Sequence, residues 1–138
     1  MTNTYDKQWV IDQIANHVVK YGIGYFNISI GQVRISTREI GYYDSNNRPH
    51  RLDNKPSRIV LDSNQWVVFW YVEGVNHRLD GPAVIGGIKG LEYTAWWING
   101  YEVTYKIATW AHENDIDLDN LSEDDKVMIK LAWSDYSE

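Results

Sequence analysis

Side chains of chemically useful type recur at matched positions in the middle of this sequence. His50 and Asp53 stand three residues apart, and so do His77 and Asp80. An imidazole beside a carboxylate is a pairing that serves a general base or a metal site. Two such pairs converging from stacked segments would give a hydrolase or a metal centre. The competing assignment is architectural. An Asp in a tight turn accepts from nearby backbone amides, and a neighbouring His or Arg braces the turn. Repetition favours the architectural assignment, because a reacting centre needs different residues in different roles. His50, Arg51, Asp53, His77, Arg78, Asp80, Gly81 and Pro82 are therefore assigned to structural turns. Gly81 is expected to supply a left-handed torsion and Pro82 to fix the exit. No catalytic residue, metal ligand or cofactor is assigned, and the chain is read as a non-enzyme.

Other chemical signatures fail on inspection. Asp115, Asp117 and Asp119 alternate like the start of a calcium loop. The sixth position is Asn120 rather than Gly and the twelfth is Lys126 rather than Glu, so the run reads as a solvated loop capping the next helix. Gly86-Gly87-Ile88-Lys89-Gly90 reads as a turn rather than a phosphate cradle. The sequence contains no Walker A motif, no Gly-x-Ser-x-Gly and no His-Glu-x-x-His. His17 lies beside an apolar stripe and is assigned to packing or surface.

Aromatic residues are the compositional anomaly, at 14%, with seven Trp and ten Tyr against two Phe. Such rings pack at one end and bond water or a partner at the other. Trp66, Trp70, Tyr71, Tyr93, Trp96 and Trp97 fall on neighbouring strand patterns. Alternation sends Trp70 and Tyr71 to opposite faces, and likewise Trp96 and Trp97. One face of a small sheet lies under helices, so some of these six are expected to be exposed as a partner-facing surface, the alternative being that they fill the core and pair across strands.

The elements that carry these residues follow from periodicity. Val10, Ile11, Ile14, Ala15 and Val18 form one helical face, with Asp6 as N-cap and Gly22 as stop. Phe26, Ile28 and Ile30 alternate, as do Val33 and Ile35. The phase change predicts a hairpin turn at Gly31 and Gln32, or a bulge at Gly31. His50-Arg51-Leu52-Asp53-Asn54-Lys55-Pro56-Ser57-Arg58-Ile59-Val60 is then echoed by His77-Arg78-Leu79-Asp80-Gly81-Pro82-Ala83-Val84-Ile85. Trp70-Tyr71-Val72-Glu73-Gly74 is echoed by Trp96-Trp97-Ile98-Asn99-Gly100, with a degenerate counterpart in Tyr43-Asp44-Ser45-Asn46-Asn47. The period of 26 or 27 residues marks tandem supersecondary units. After the third aromatic strand Thr104 is expected to cap a helix with a stripe of Ile107, Ala108, Trp110 and Ala111. A last helix starts at Ser122, with Asp125 in a capping box and Val127, Met128, Leu131 and Ala132 as its buried face.

These readings give an α+β fold: an N-terminal helix, a central antiparallel sheet of tandem β-hairpin repeats, and two C-terminal helices. The 138 residues form one domain, with the repeat region at about 40–103. No cysteine is present, which removes disulfides and thiol chemistry and fits a reducing compartment. No signal-peptide pattern and no apolar run near ~20 residues occurs, so a membrane is not expected. A net charge of −6 disfavours nucleic acid.

The aromatic strand followed by His-Arg-x-Asp-Gly-Pro-Ala resembles a MORN-like repeat of uncharacterised proteins from tailed bacteriophages and other large viruses. The likeness is best over residues 70–85, fair over 43–60 and partial over 96–103, about half the chain. The first copy departs from it where Asn54 and Lys55 replace Gly, and the third where the chain turns helical. The resemblance implies strands joined by tight turns, a phage source and a bacterial cytoplasm, and no established activity. The leading expectation is an interaction protein that binds and modulates a host protein. A binder of a small ligand, nucleotide or sugar, and a virion assembly component are the alternatives.

Overall fold

The computed structural model describes residues 5–29 and 31–138; the readings made on residues 1–4 and on Ile30 lie outside them. The chain opens with α1 (Lys7–Tyr21), followed by strands β1 (Gly24–Ile28), β2 (Gly31–Ile35), β3 (Glu39–Asp44), β4 (Arg58–Leu61) and β5 (Gln65–Phe69). Short strands β6 (Tyr71–Val72) and β7 (Val75–Asn76) precede β8 (Val84–Ile88) and β9 (Leu91–Ala95). Another short pair, β10 (Trp97–Ile98) and β11 (Tyr101–Glu102), leads into α2 (Thr104–Glu113) and α3 (Glu123–Trp133). Seven strands form one antiparallel meander in the order β1-β2-β3-β4-β5-β8-β9. This is the expected α+β architecture.

Both outer helices start where local chemistry places them. The Asp6 side chain accepts from the Trp9 amide, and Gly22 stops α1 at φ 83°. Ser122 and Asp125 exchange bonds in a complete capping box at the head of α3. Thr104 does not cap α2. Val103 holds that position without a side-chain bond, and Thr104 Oγ1 instead accepts from the Trp96 amide at 3.0 Å.

The first hairpin closes earlier than its apolar phase suggests. Gly31 and Gln32 lie inside β2, paired with Ile28 and Asn27. Gly86 and Gly87 likewise belong to β8, and the turn falls on Lys89 and Gly90, both at positive φ. Their lack of a side chain has a steric cause. A Cβ on Gly86 would lie 2.6 Å from the Tyr93 ring, and one on Gly87 would collide with the Trp66 indole. Each glycine is the register partner of the ring that covers it.

The alternation sorts the sheet into two faces. One carries Val33, Ile35, Ile40, Ile59, Trp66, Val68 and Ile85, which pack with Val10 and Ile14 of α1 into the main core. A second core joins Trp96, Ile98 and Val103 to Ile107 of α2 and to Ile129 and Trp133 of α3. Here α3 departs from expectation. Its buried contacts are Ile129 and Trp133, one turn apart, while Val127, Met128 and Leu131 are exposed, Leu131 at 82%. Ala108 of α2 and Ala132 of α3 are exposed as well.

Candidate functional site

The repeated unit is built on a bulged strand that runs into a tight hairpin. Ser57 donates to Phe69 O at 2.9 Å while Arg58 is the register partner of Phe69. Ala83 donates to Ala95 O at 3.0 Å while Val84 is the partner of Ala95. Two residues thus oppose one in both copies, a β-bulge that bends each long strand at the same place. Beyond the bend, Glu73 with Gly74 and Asn99 with Gly100 form two-residue turns with positive φ throughout. The first copy uses a longer loop, closed by the Asn47 amide on Asp44 O with Asn47 at φ 61°.

The histidines stitch one hairpin to the next. His50 Nδ1 accepts from the Glu73 amide, and His77 Nδ1 accepts from the Asn99 amide, each at 2.9 Å. The partner in each case is the first turn residue of the following hairpin. Because a backbone amide only donates, both imidazoles are neutral there and carry their proton on Nε2. Backbone bonds repeat with the same offset: Gly74 donates to Pro49 O and Gly100 to Asn76 O, while Arg51 donates to Tyr71 O and Arg78 to Trp97 O. Burial pushes the His77 pKa below 6.5.

The arginines lock the loop onto the strand that opens their own unit. Arg51 stacks 3.9 Å over the Tyr42 ring and donates to Pro56 O; Arg78 stacks 3.9 Å over Trp70 and donates to Pro82 O. Arg78 also donates from Nε to Asn54 Oδ1 of the preceding unit at 2.7 Å. Burial lowers its pKa to about 10, still charged at neutral pH. Tyr42 and Trp70 in turn anchor α1. Tyr42 OH meets His17 Nε2 at 2.8 Å, and Trp70 meets Tyr5 edge to face. Burial lowers the His17 pKa.

The aspartates do not share this bracing role. Asp53 occupies a turn with φ 63° and makes no side-chain hydrogen bond among the described residues, and Asp80 pairs with Lys130 Nζ of α3 at 3.0 Å. Gly81 is not left-handed. A Cβ there would stand 2.8 Å from the Arg78 guanidinium, so its smallness makes room for the stacked arginine. Asp53, His77 and Asp80 border one cleft of about 160 Å³ together with Arg78 and Lys130, while His50 lies outside its lining, and no cluster of three or more His, Asp or Glu able to hold a metal occurs among the described residues.

The six aromatic residues do not assemble into one surface. Trp66, Trp70 and Trp96 are core residues, exposed by 6%, 2% and 4%. Trp97 is half-buried against the main core and Tyr71 is half-buried beside Phe69, which leaves Tyr93 as the exposed ring of the six. The face opposite α1 carries a different set. Register places Tyr25, Arg34, Gly41, Arg58, Phe69, Val84 and Ala95 in one row across all seven strands. Arg34 sits 3.8 Å over the Tyr43 ring and 5.4 Å from that of Tyr25, which is 74% exposed. Gly41 lacks the Cβ that would meet Tyr43 at 2.7 Å, so this ring lies flat on the sheet. Arg58 pairs with Glu39 and approaches Phe69. This face was detectable in the off-phase positions of β1, β2 and β3, where Tyr25, Arg34 and Tyr43 interrupt an apolar alternation.

No helix among the described residues is long and apolar enough to cross a membrane. Comparison with protein-family models, with curated proteins and with solved structures finds no match to this chain.

Proposed function

We propose that the chain is a non-enzymatic protein-interaction module that binds through the sheet face opposite α1. The observation that supports this is the set of Tyr25, Arg34, Tyr43, Arg58 and Phe69 on the sheet face opposite α1. Tyr and Arg dominate binding hot spots, and stacked guanidinium groups lose little freedom on docking. Within the strands this face holds two arginines against one carboxylate, Glu39, on a chain whose net charge is −6. The fitting partner is therefore a protein patch of apolar residues rimmed by carboxylates. The MORN-like resemblance of the repeat directs the search to bacterial proteins, with the chain as a phage product that modulates one of them in the host cytoplasm.

The test is capture from bacterial lysate with wild type, an Arg34→Ala/Tyr43→Ala face variant and an α3 surface variant, Leu131→Ala. A stoichiometric partner kept by Leu131→Ala and lost by the face variant supports the reading. Failure to capture any partner, or equal capture by all three, overturns it.

A further inference from the structure

We propose that a second, independent site lies in the cleft between the start of α1 and the turn end of the sheet, and that it binds a small organic oxyanion, a carboxylate or a phosphate ester. The cleft measures about 490 Å³, within the range of small-molecule sites. Its roof is the first turn of α1. Asp6 takes the Trp9 amide with its side chain and the Val10 amide with its carbonyl. The amides of Lys7 and Gln8 bond to nothing among the described residues. They stand at the positive end of a 15-residue helix.

A second donor points to the same space from the sheet. Trp66 is 94% buried, being 6% exposed, and its indole N–H makes no hydrogen bond among the described residues but is not sealed in, since the fully buried unpaired side-chain atoms there are Asn76 Oδ1 and Trp133 Nε1. The pyrrole edge of that ring lies directly over Gly87, and both residues line the cleft. An indole N–H only donates, so what satisfies it must present an acceptor. The two turns forming the far wall are tied together where Lys89 donates to Asn64 O at 3.1 Å. Lys7 and Lys89 are the cationic residues of the lining. Glu92, also in the lining, favours a ligand with a donor group remote from its oxyanion. Backbone amides, an indole N–H and two lysines border one cleft, and with the Asp6 carboxylate engaged by the Trp9 amide they form a donor set whose complement is an oxyanion on a body that covers the Trp66 edge.

The full chain would be titrated with inorganic phosphate and with acetate, each against sodium chloride at matched ionic strength. The readout is the Trp66 indole N–H and the Lys7 and Gln8 amides in proton–nitrogen correlation spectra. Saturable movement of all three, with a midpoint below about 10 mM, is the expected result. Response to phosphate alone assigns a phosphate ester, and response to acetate assigns a carboxylate. Lys89→Glu, at an exposed turn, is expected to raise the midpoint at least about tenfold without changing the fold. Gly87→Ala is expected to displace the indole and abolish its response. Non-saturating shifts, shifts reproduced by chloride, or an unchanged midpoint in Lys89→Glu would overturn the proposal.

Discussion

Replacing His77 by Ala removes the acceptor that holds the Asn99 amide at 2.9 Å and leaves that amide at a hairpin turn without its partner. A neutral hydrogen bond contributes about 0.5–1.5 kcal/mol net, and an orphaned buried donor costs about 1–3 kcal/mol. His77 is half-buried, so water reaches part of the exposed amide and the loss falls near the middle, about 1–2 kcal/mol. For a chain of 138 residues that is a fall in Tm of roughly 3–8 °C. His50→Ala removes the matching bond to Glu73 and is expected to cost a similar amount. The two bonds share no partner, so the double variant should lose the sum to within about 0.5 kcal/mol. Asp53→Asn, which keeps a residue tolerant of the left-handed torsion at φ 63°, should cost less than about 0.5 kcal/mol, because the carboxylate makes no hydrogen bond among the described residues. Urea unfolding of the four proteins at pH 7.5 measures all of this. The same bond sets a pH dependence. Burial holds the folded His77 pKa below 6.5, so its stabilisation is complete above the unfolded value. It is lost as pH falls through the lowered folded value, because protonated Nδ1 would point a donor at a donor. His17, also lowered by burial, acts in the same direction. Wild-type stability should therefore fall from pH 7.5 toward pH 5, and the fall should be smaller in His77→Ala. Asp53→Asn proving more damaging than either histidine variant would refute the assignment of bracing to the imidazoles.

Three further perturbations probe the rest of the architecture. Arg78→Lys keeps the charge but loses the planar stack on Trp70 and the forked bonds to Pro82 O and Asn54 Oδ1, and should cost about 1–3 kcal/mol in urea unfolding. Gly86→Ala places a methyl 2.6 Å from the Tyr93 ring and 2.9 Å from Trp66 O, and should cost about 1–3 kcal/mol by the same assay. Ser122→Ala removes half of the capping box of α3 and should lower stability by about 1 kcal/mol, read most clearly as early loss of helical circular dichroism.

What was legible in the sequence is what local chemistry decides. Asp6, Gly22, Ser122 and Asp125 mark helix ends because a cap is a bond between near neighbours. The 26–27-residue echo disclosed the stacked hairpins because each unit repeats the same inter-unit bonds. Glycine was less transparent. A torsional and a steric need leave the same letter, so Gly81, Gly86 and Gly87 were assigned to turn geometry, while the structure uses their smallness under Arg78, Tyr93 and Trp66. The exposed face of α3 was hidden for a different reason. Val127, Met128 and Leu131 form as good a stripe as Ile129 and Trp133, and which one turns inward is set by where the third hairpin holds the helix. That anchor includes the Asn99 side chain, which donates to Ser134 O and Tyr136 O some 35 residues away. That Trp66, Trp70 and Trp96 fill the core is not legible from a count of rings, which does not reveal how many a thin sheet can bury. Alternation did separate Trp70 from Tyr71, and the same rule applied to Tyr25, Arg34 and Tyr43 points to the opposite face.

The most direct measurement is the nitrogen–nitrogen scalar coupling transmitted through a hydrogen bond, recorded with the imidazole nitrogen shifts of uniformly labelled protein at pH 7.5. Couplings are expected between His50 Nδ1 and the Glu73 amide and between His77 Nδ1 and the Asn99 amide, with both rings protonated on Nε2. Rings protonated on Nδ1, or imidazole shifts that respond together to an added divalent metal, would contradict it and return the two His-Arg-Leu-Asp segments to the candidates for chemistry.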